Sequence, residues 1–216
     1  TTAIVTDVRA DSLRLDRTIA YAESGGQEGD HGVITTSNGT QVPFSDTRRG
    51  PGRLLFLPGF SGVHVDAPIY HIIPTEVAPL FAVGDHIEIT IDIQRRARLT
   101  LSHSASHLLY VGVKSVRPNA IDNVIGCHIK ENQARFDFFV AERFTADEIA
   151  AIQLVANDLV SRNLPISIER HEREPEALYW RCGGHVIPCG GTHLSETGPV
   201  GPISVQRKSI GKRKER

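Results

Sequence analysis

Short apolar runs divided by turn residues fill the first hundred positions of the chain. The clearest pattern is the strict alternation of residues 87–93, which places four isoleucines on one face of a strand and polar groups on the other. Turn pairs such as Asn38-Gly39 and Pro58-Gly59 separate the runs. Several short strands with regular turns predict a small β-barrel.

The pattern changes near Arg95-Arg96. From about Leu99 to Val113, apolar residues recur at helical spacing. Farther along, Thr145 and Glu148 form a capping-box signature that opens a second amphipathic helix. Between and after these helices the sequence predicts strands over 123–129, 134–140 and 166–170 and a short helix over 174–179.

Together these elements predict an α+β fold with two domains. Residues 1–95 form the small β-barrel, which carries a glycine-rich loop. Residues 96–216 form an α/β domain with helices packed on a largely antiparallel sheet, followed by a basic C-terminal tail.

Composition excludes several classes of protein. Apolar content is 40% and charged content 23%, and no run approaches the roughly 18 apolar residues of a membrane helix. The N-terminus lacks a signal-peptide pattern, and three cysteines without framework spacing do not indicate a disulfide scaffold. We therefore expect a cytoplasmic protein with reduced thiols and no membrane contact.

The net charge of −1 hides an uneven distribution. Residues 207–216 contain six Lys or Arg and one Glu, so the rest of the chain carries about −6. A basic tail on an acidic body is typical of a polyanion contact, and Lys208, Lys212 and Arg213 are its candidates. A solvated, frayed terminus would have the same composition.

Two pairs of potential metal ligands lie far apart in the sequence. His103 and His107 are four residues apart, so a helix would place both imidazoles on one face. Cys189 and His193 flank a Gly-Gly-Thr turn. One thiolate and three imidazoles suit tetrahedral zinc. The helix lacks the glutamate that serves zinc proteases as general base.

A second arrangement uses only the C-terminal half. Cys182 and His185 precede the Cys189 segment and resemble an imperfect copy of it. Together with Cys189 and His193 they would form a compact local zinc site with no role for the helix histidines.

The combination of His-x-x-x-His with Cys-Gly-Gly-Thr-His resembles the editing domain of alanyl-tRNA synthetases and the free-standing alanyl-tRNA editing proteins of the AlaX type. The resemblance covers nearly the whole chain. The further matching segments occur in the family's order: Gly25-Gly26-Gln27, Gly84-Asp85, Asp92, Arg95-Arg96, residues 135–138 and Asn157.

This resemblance implies a trans-acting hydrolase that deacylates mischarged tRNA, chiefly seryl-tRNA(Ala), with glycyl-tRNA(Ala) as a further candidate. It implies that His103, His107, Cys189 and His193 bind Zn²⁺ and that Gln27, with Gly26, lies near the substrate. Cys127 occupies a position in the amino-acid pocket where a serine would be expected.

For two of the predicted roles the sequence allows two alternatives. Thr192 either contacts the substrate or fixes the turn between Cys189 and His193. Arg95 and Arg96 either meet tRNA phosphates or cap the domain junction.

The chemistry gives this interpretation an independent basis. A pocket that accepts alanine rejects serine by only about 10², because serine merely adds a hydroxyl. A second site that hydrogen-bonds that hydroxyl discriminates better, because alanine would leave its polar groups unpaired. Without a carboxylate base we favour a zinc-bound water as the catalytic group. The rival functions are a zinc-stabilised tRNA-binding module without catalysis and a deacylase of the threonyl-tRNA editing type.

Overall fold

The computed structural model describes residues 1–60 and 62–216 and divides into two compact units. The first unit contains residues 1–24 and 28–97. The second contains residues 25–27 and 98–216. The main division therefore lies after Ala97, inside a helix, and the glycine-glycine-glutamine segment groups with the second unit.

The first unit is built from nine strands in its described part. They are β1 Thr2–Val8, β2 Ser12–Leu15, β3 Gly32–Thr36, β4 Gln41–Phe44, β5 Asp46–Arg49, β6 Arg53–Leu55, β7 Val63–Val65, β8 Ile69–Ile72 and β9 His86–Ile91. Seven of these strands form an antiparallel sheet in the order β4-β3-β9-β1-β2-β8-β5, and β6 pairs with β7. A 3₁₀ helix covers Thr75–Leu80.

The predicted β character of this unit is confirmed. Alternation places Ile87 and Ile89 in its core, as expected. The prediction is wrong for Ile93, which begins a helix and is exposed, because the Asp92 carboxylate accepts a hydrogen bond from the Arg95 amide and starts the helix there. The sheet order ends at β4 and β5, so closure into a barrel stays a prediction.

The second unit combines a few helices with antiparallel sheets, which confirms the α+β class. The helices are α1 Ile93–Val116, whose first turn belongs to the first unit, α2 Pro118–Ile121 and α3 Ala146–Ser161. The strands are β10 Val124–Lys130, β11 Gln133–Phe139, β12 Ile166–His171, β13 Glu174–Cys182, β14 His185–Pro188, β15 Ser209–Gly211 and β16 Lys214–Glu215. They form two sheets, ordered β10-β11-β16-β15 and β12-β13-β14.

Local sequence signals are confirmed at α3 and at the β10–β11 hairpin. The Thr145 hydroxyl accepts from the Glu148 amide and the Glu148 carboxylate accepts from the Thr145 amide, as in a capping box. The predicted helix over 174–179 is wrong. That segment is strand β13, which pairs on both sides with β12 and β14 and buries Trp180, so sheet pairing overrides the helical preference of Glu-Ala-Leu.

Among the described residues, none of the helices has both the length and the apolar content needed to cross a bilayer.

Candidate metal centre

Helix α1 contributes an unusual buried polar turn. His103 and His107 are buried on it, and Ser102, Ser104 and Ser106 are buried beside them. The two imidazole centroids lie 5.1 Å apart, as the i, i+4 spacing requires. Buried polar side chains need partners, so a helix turn of this composition indicates a polar site inside the unit.

The loop after β14 brings the second pair of donors to this turn. Cys189 Sγ lies 3.4 Å from His103 Nε2 and 3.3 Å from His193 Nε2. His193 also packs 4.5 Å, between ring centroids, from His107. One ligand atom from each of the four side chains lies within 4.8 Å of all the others. We call these four residues the His/Cys cluster: His103, His107, Cys189 and His193.

Gln27 determines which nitrogen of His103 faces the cluster. The Thr192 amide N–H, which can only donate, lies 3.1 Å from Gln27 Oε1. His103 Nδ1 lies 2.6 Å from the same oxygen and must therefore carry the proton. The unprotonated Nε2 of His103 then faces Cys189. A hydrogen bond of this kind to the distal ring nitrogen orients metal-binding histidines.

Ser104 imposes the same tautomer on His193. Its hydroxyl donates to the Thr100 carbonyl at 3.0 Å and accepts from the Leu194 amide at 2.9 Å. His193 Nδ1, 3.4 Å from the same hydroxyl, is then the donor in that contact. Nε2 of His193 is left with its lone pair toward Cys189.

His107 fits a metal ligand for a different reason. Its Nδ1 is buried and has no hydrogen-bond partner among the described residues. The ring lies edge-on to fully buried Trp180, with centroids 4.7 Å apart. A buried polar atom without a partner costs about 1–3 kcal/mol, and this one lies within a set of donors for a cation.

Burial keeps the three imidazoles neutral. It lowers the pKa of His103 to about 4 and that of His107 to about 3, and it also lowers the pKa of His193, with the two neighbouring histidines adding to the effect. Neutral imidazoles are the form that binds metals.

Burial lowers the pKa of the three imidazoles but raises that of the Cys189 thiol, to about 11. The Gly191 amide, 3.3 Å from Sγ, partly opposes that rise. A cation bound among the four donors would favour the thiolate. The donor set therefore fits Zn²⁺, and binding of zinc here stays a prediction.

Gly191 is required by the closeness of the loop to the helix. A Cβ built at Gly191 would lie 1.9 Å from Cε1 and 2.2 Å from Nδ1 of His103. Any side chain there would displace the imidazole. Gly190, by contrast, has room for a Cβ, whose nearest neighbour would be a Leu178 methyl at 3.7 Å.

The predicted substrate-binding residues surround this cluster within the second unit. Gln27 forms an isolated bridge with Ile129, and Gly26 packs so closely on Cys127 that a Cβ would lie 2.8 Å from the Cys127 carbonyl oxygen. Thr192 accepts from the Gln27 amide nitrogen at 3.0 Å. Their contact with substrate stays a prediction.

Ser104 and Thr100 are further residues of the site that were not predicted from the sequence. The Thr100 hydroxyl lies 2.9 Å from the Thr192 hydroxyl, beside the cluster. Thr100 and Ser104 lie seven and three residues before His107 on α1, so helical spacing from His107 was the available signal.

Arg95 and Arg96 both pair with acidic residues inside the first unit. Arg95 donates to Glu28 at 2.9 Å, and its side chain is buried. Arg96 forms a two-pronged ion pair with the buried Asp30 carboxylate, including an Nε to Oδ1 distance of 3.0 Å. Both guanidinium groups therefore have acidic partners within the first unit, and tRNA contact by them stays a prediction.

The alternative zinc site of Cys182, His185, Cys189 and His193 is not found among the described residues. Cys182 is buried in an apolar cluster with Leu108 and Trp180, and it pairs in register with His185 across the β13–β14 hairpin. The four donors that come together instead include both helix histidines.

Comparison with known proteins shows what this chain is similar to. Residues 179–216, which contain Cys189 and His193, match the family model described as "Threonyl and Alanyl tRNA synthetase second additional domain". Alanine–tRNA ligase of Desulforudis audaxviator is 31% identical over 215 residues, covering 92% of this chain and 22% of the ligase. The corresponding ligase of Xanthomonas euvesicatoria is 32% identical over 208 residues, covering 88% and 22%. That of Methanopyrus kandleri is 28% identical over 210 residues, covering 88% and 21%.

The resemblance to the alanyl-tRNA editing family is confirmed. The chain spans about a fifth of the length of these curated relatives, and nearly all of it aligns with them. The match of this chain to one region of each ligase supports a tRNA-related editing role.

Proposed function

We propose that this chain is a zinc-dependent aminoacyl-tRNA deacylase that acts chiefly on seryl-tRNA(Ala), with glycyl-tRNA(Ala) as the second substrate. The observation that carries the proposal is the convergence of four metal-type donors within 4.8 Å, in a chain related to alanine–tRNA ligases. A structural zinc site is closed by four protein ligands, whereas a catalytic zinc keeps a position for water or substrate or expands to five-coordinate. With four donors present here, catalysis requires the zinc to accept a further ligand, and the partly buried hydroxyls of Thr192 and Thr100 adjoin the donors.

The His/Cys cluster would hold the metal, and Gln27 and Ser104 would orient two of the ligands. Zinc, when bound, supplies a Lewis acid that can polarise an ester carbonyl or lower the pKa of a water. The chain supplies position: an aminoacyl ester is already reactive, so alignment provides much of the rate.

Recognition of serine requires donors or acceptors for its hydroxyl. The partly exposed hydroxyls of Thr192 and Thr100 and the thiol of Cys127 are the groups of this kind that we assign to the pocket. Burial raises the pKa of the Cys127 thiol to about 11, so it is a neutral, weak donor at pH 7. Serine would make hydrogen bonds with such groups that alanine cannot make, which gives discrimination that a size-based pocket lacks.

The threonyl-tRNA editing type is the second candidate, because the matching family model names both threonyl and alanyl synthetases. The relatives that align along nearly the whole chain are alanine–tRNA ligases, and they favour alanine tRNA as the substrate.

The test measures zinc content and deacylation for the wild type, Cys189→Ala and Cys182→Ala. The first substitution removes a cluster donor; the second removes a thiol buried in the apolar core and is the matched control. We expect about one zinc per chain and hydrolysis of seryl-tRNA(Ala) in the wild type and in Cys182→Ala, and loss of both in Cys189→Ala.

Two outcomes would contradict the proposal. Bound zinc without hydrolysis of seryl- or glycyl-tRNA(Ala) would leave a zinc-stabilised tRNA-binding module. Faster hydrolysis of seryl-tRNA(Thr) than of seryl-tRNA(Ala) would instead assign the threonyl editing type.

A further inference from the structure

The C-terminal segment, residues 207–216, folds into a hairpin, so the frayed-terminus interpretation is wrong. β15 and β16 pair with each other, and β16 also pairs with β11. The Lys208 and Arg216 backbones close the base of the hairpin with two reciprocal N–H to O bonds of 2.8 Å. The Val140 amide donates to the Arg213 carbonyl at 2.9 Å near the turn. We call residues 207–216 the basic hairpin.

The basic hairpin directs its single acid inward. The Glu215 side chain is 1% exposed and accepts from the Phe144 amide at 2.6 Å and from Arg207 at 2.7 Å. Arg216 pairs with Asp137 at 2.8 Å. These contacts use Arg207 and Arg216 to fasten the hairpin to the unit.

The other cations of the basic hairpin point outward. Strand alternation exposes Lys214 while it buries Glu215. Lys208 and Lys212 are exposed as well, and within residues 1–60 and 62–216 none of the three lysines forms an ion pair. Arg213 is exposed and lies over the Phe139 ring, 4.9 Å from its centroid. The hairpin therefore presents uncompensated positive charge on an ordered backbone.

We infer that the exposed cations of the basic hairpin bind the sugar-phosphate backbone of tRNA. The rest of the chain carries about −6, so attraction of a polyanion is concentrated on this element. Lysine ammonium groups bind phosphates as point charges and read no base sequence. Because β pairing already orders the hairpin backbone, binding costs less conformational entropy than it would for a disordered tail.

The identification of the polyanion as tRNA rests on the proposed function, but binding of tRNA can be tested without catalysis. The probe is deacylated alanine tRNA, which has no ester to hydrolyse. The variant Lys208→Gln/Lys212→Gln/Lys214→Gln removes the three lysines and keeps Arg207, Arg213 and Arg216, which have partners in the fold.

We expect the triple variant to bind this tRNA on the order of tenfold more weakly at moderate salt. Between about 50 and 200 mM salt, its plot of log affinity against log salt should be shallower than that of the wild type by about 2 to 3, because each lost phosphate contact removes somewhat less than one unit of slope. Its unfolding midpoint should match that of the wild type.

A matched control removes the same charge elsewhere in the second unit. Lys114, Arg170 and Arg173 are exposed residues outside the hairpin's sheet, and their triple Gln variant should bind nearly as the wild type does. Equal loss in the two triple variants, or unchanged affinity and slope in the hairpin variant, would overturn the inference. Hydrolysis of seryl-tRNA(Ala) is measured separately. If the wild type binds tRNA through the hairpin but does not hydrolyse this ester, the proposed function is wrong and the inference about the hairpin stands.

Discussion

Gln27 Oε1 lies 2.6 Å from His103 Nδ1, although 76 positions separate the two residues. Gln27 is fully buried, and its amide also contacts the backbone and hydroxyl of Thr192. One side chain therefore connects the histidine helix to the cysteine loop. The sequence predicts a place near the substrate for Gln27, and its contact with His103 indicates a further role in positioning that imidazole.

Replacing Gln27 should weaken zinc binding while leaving all four ligands in place. In Gln27→Ala, His103 loses the acceptor that fixes its tautomer, and we expect a zinc affinity about 10- to 100-fold lower. In Gln27→Glu the carboxylate can still accept from His103 and from the Thr192 amide, so the affinity should stay closer to that of the wild type. Competition with a chromophoric chelator measures both.

The exposed Gln206 offers a control of the same residue type in the same unit. Gln206→Ala should bind zinc as the wild type does. If Gln27→Ala also bound zinc as tightly as the wild type, the positioning role would be wrong.

A single methyl group at Gly191 should disrupt the site. Its carbon would lie 1.9 Å from the His103 ring, so either the imidazole or the loop must move. We expect Gly191→Ala to lower zinc affinity by about tenfold or more. Gly190→Ala, one residue earlier, meets only an ordinary contact at 3.7 Å and should retain zinc. Similar zinc affinities in the two variants would refute the close approach of loop and helix.

The sequence predicts the parts of this site that depend on local spacing. The i, i+4 histidines needed only a helix, and the Cys-Gly-Gly-Thr-His segment needed only a tight turn. The structure brings His103, His107, Cys189 and His193 together, and their binding of zinc stays a prediction.

Features that depend on tertiary pairing could not be predicted in the same way. Residues 174–179 have helical character in isolation but belong to strand β13, because β12 pairs with this segment and β14 pairs with the strand from Tyr179 onward. The basic hairpin has few apolar residues to indicate strands, and its order depends on Glu215 reaching the Phe144 amide. The contact of Gln27 with His103 has no periodic signal in the sequence.

Ser104 should stabilise the fold of the second unit as well as orient His193. In Ser104→Ala the Leu194 amide loses its acceptor, and a buried unpaired donor costs about 1–3 kcal/mol. We expect that decrease in the free energy of unfolding of the metal-free protein, measured in urea, together with weaker zinc binding. Ser161→Ala, at an exposed position near the end of α3, should change stability by less than about 0.5 kcal/mol. Equal stabilities of the two variants would contradict the role given to Ser104.

His71 should make the first unit sensitive to acid. It is fully buried, its Nδ1 lies 3.3 Å from the Leu13 carbonyl oxygen, and its Nε2 lies 2.8 Å from the Thr18 hydroxyl. Because the carbonyl can only accept, Nδ1 carries the proton of a neutral ring. Burial lowers the pKa of His71 from 6.5 to about 4.

The sign follows from proton binding. Between pH 6.5 and about 4 the unfolded chain binds a proton at His71 that the folded chain does not, so stability is fully present above pH 6.5 and is lost as the pH falls toward 4. The total effect is on the order of 3 kcal/mol. His71→Asn keeps a donor for the Leu13 carbonyl but does not titrate. The unfolding free energy of the wild type minus that of His71→Asn should therefore fall by that amount between about pH 7 and 4. The histidines of the His/Cys cluster are present in both proteins, so their titration cancels in this difference. A difference that stays constant with pH, or an NMR titration that places the pKa of His71 near 6.5 in the folded protein, would show that this imidazole is not held neutral by burial.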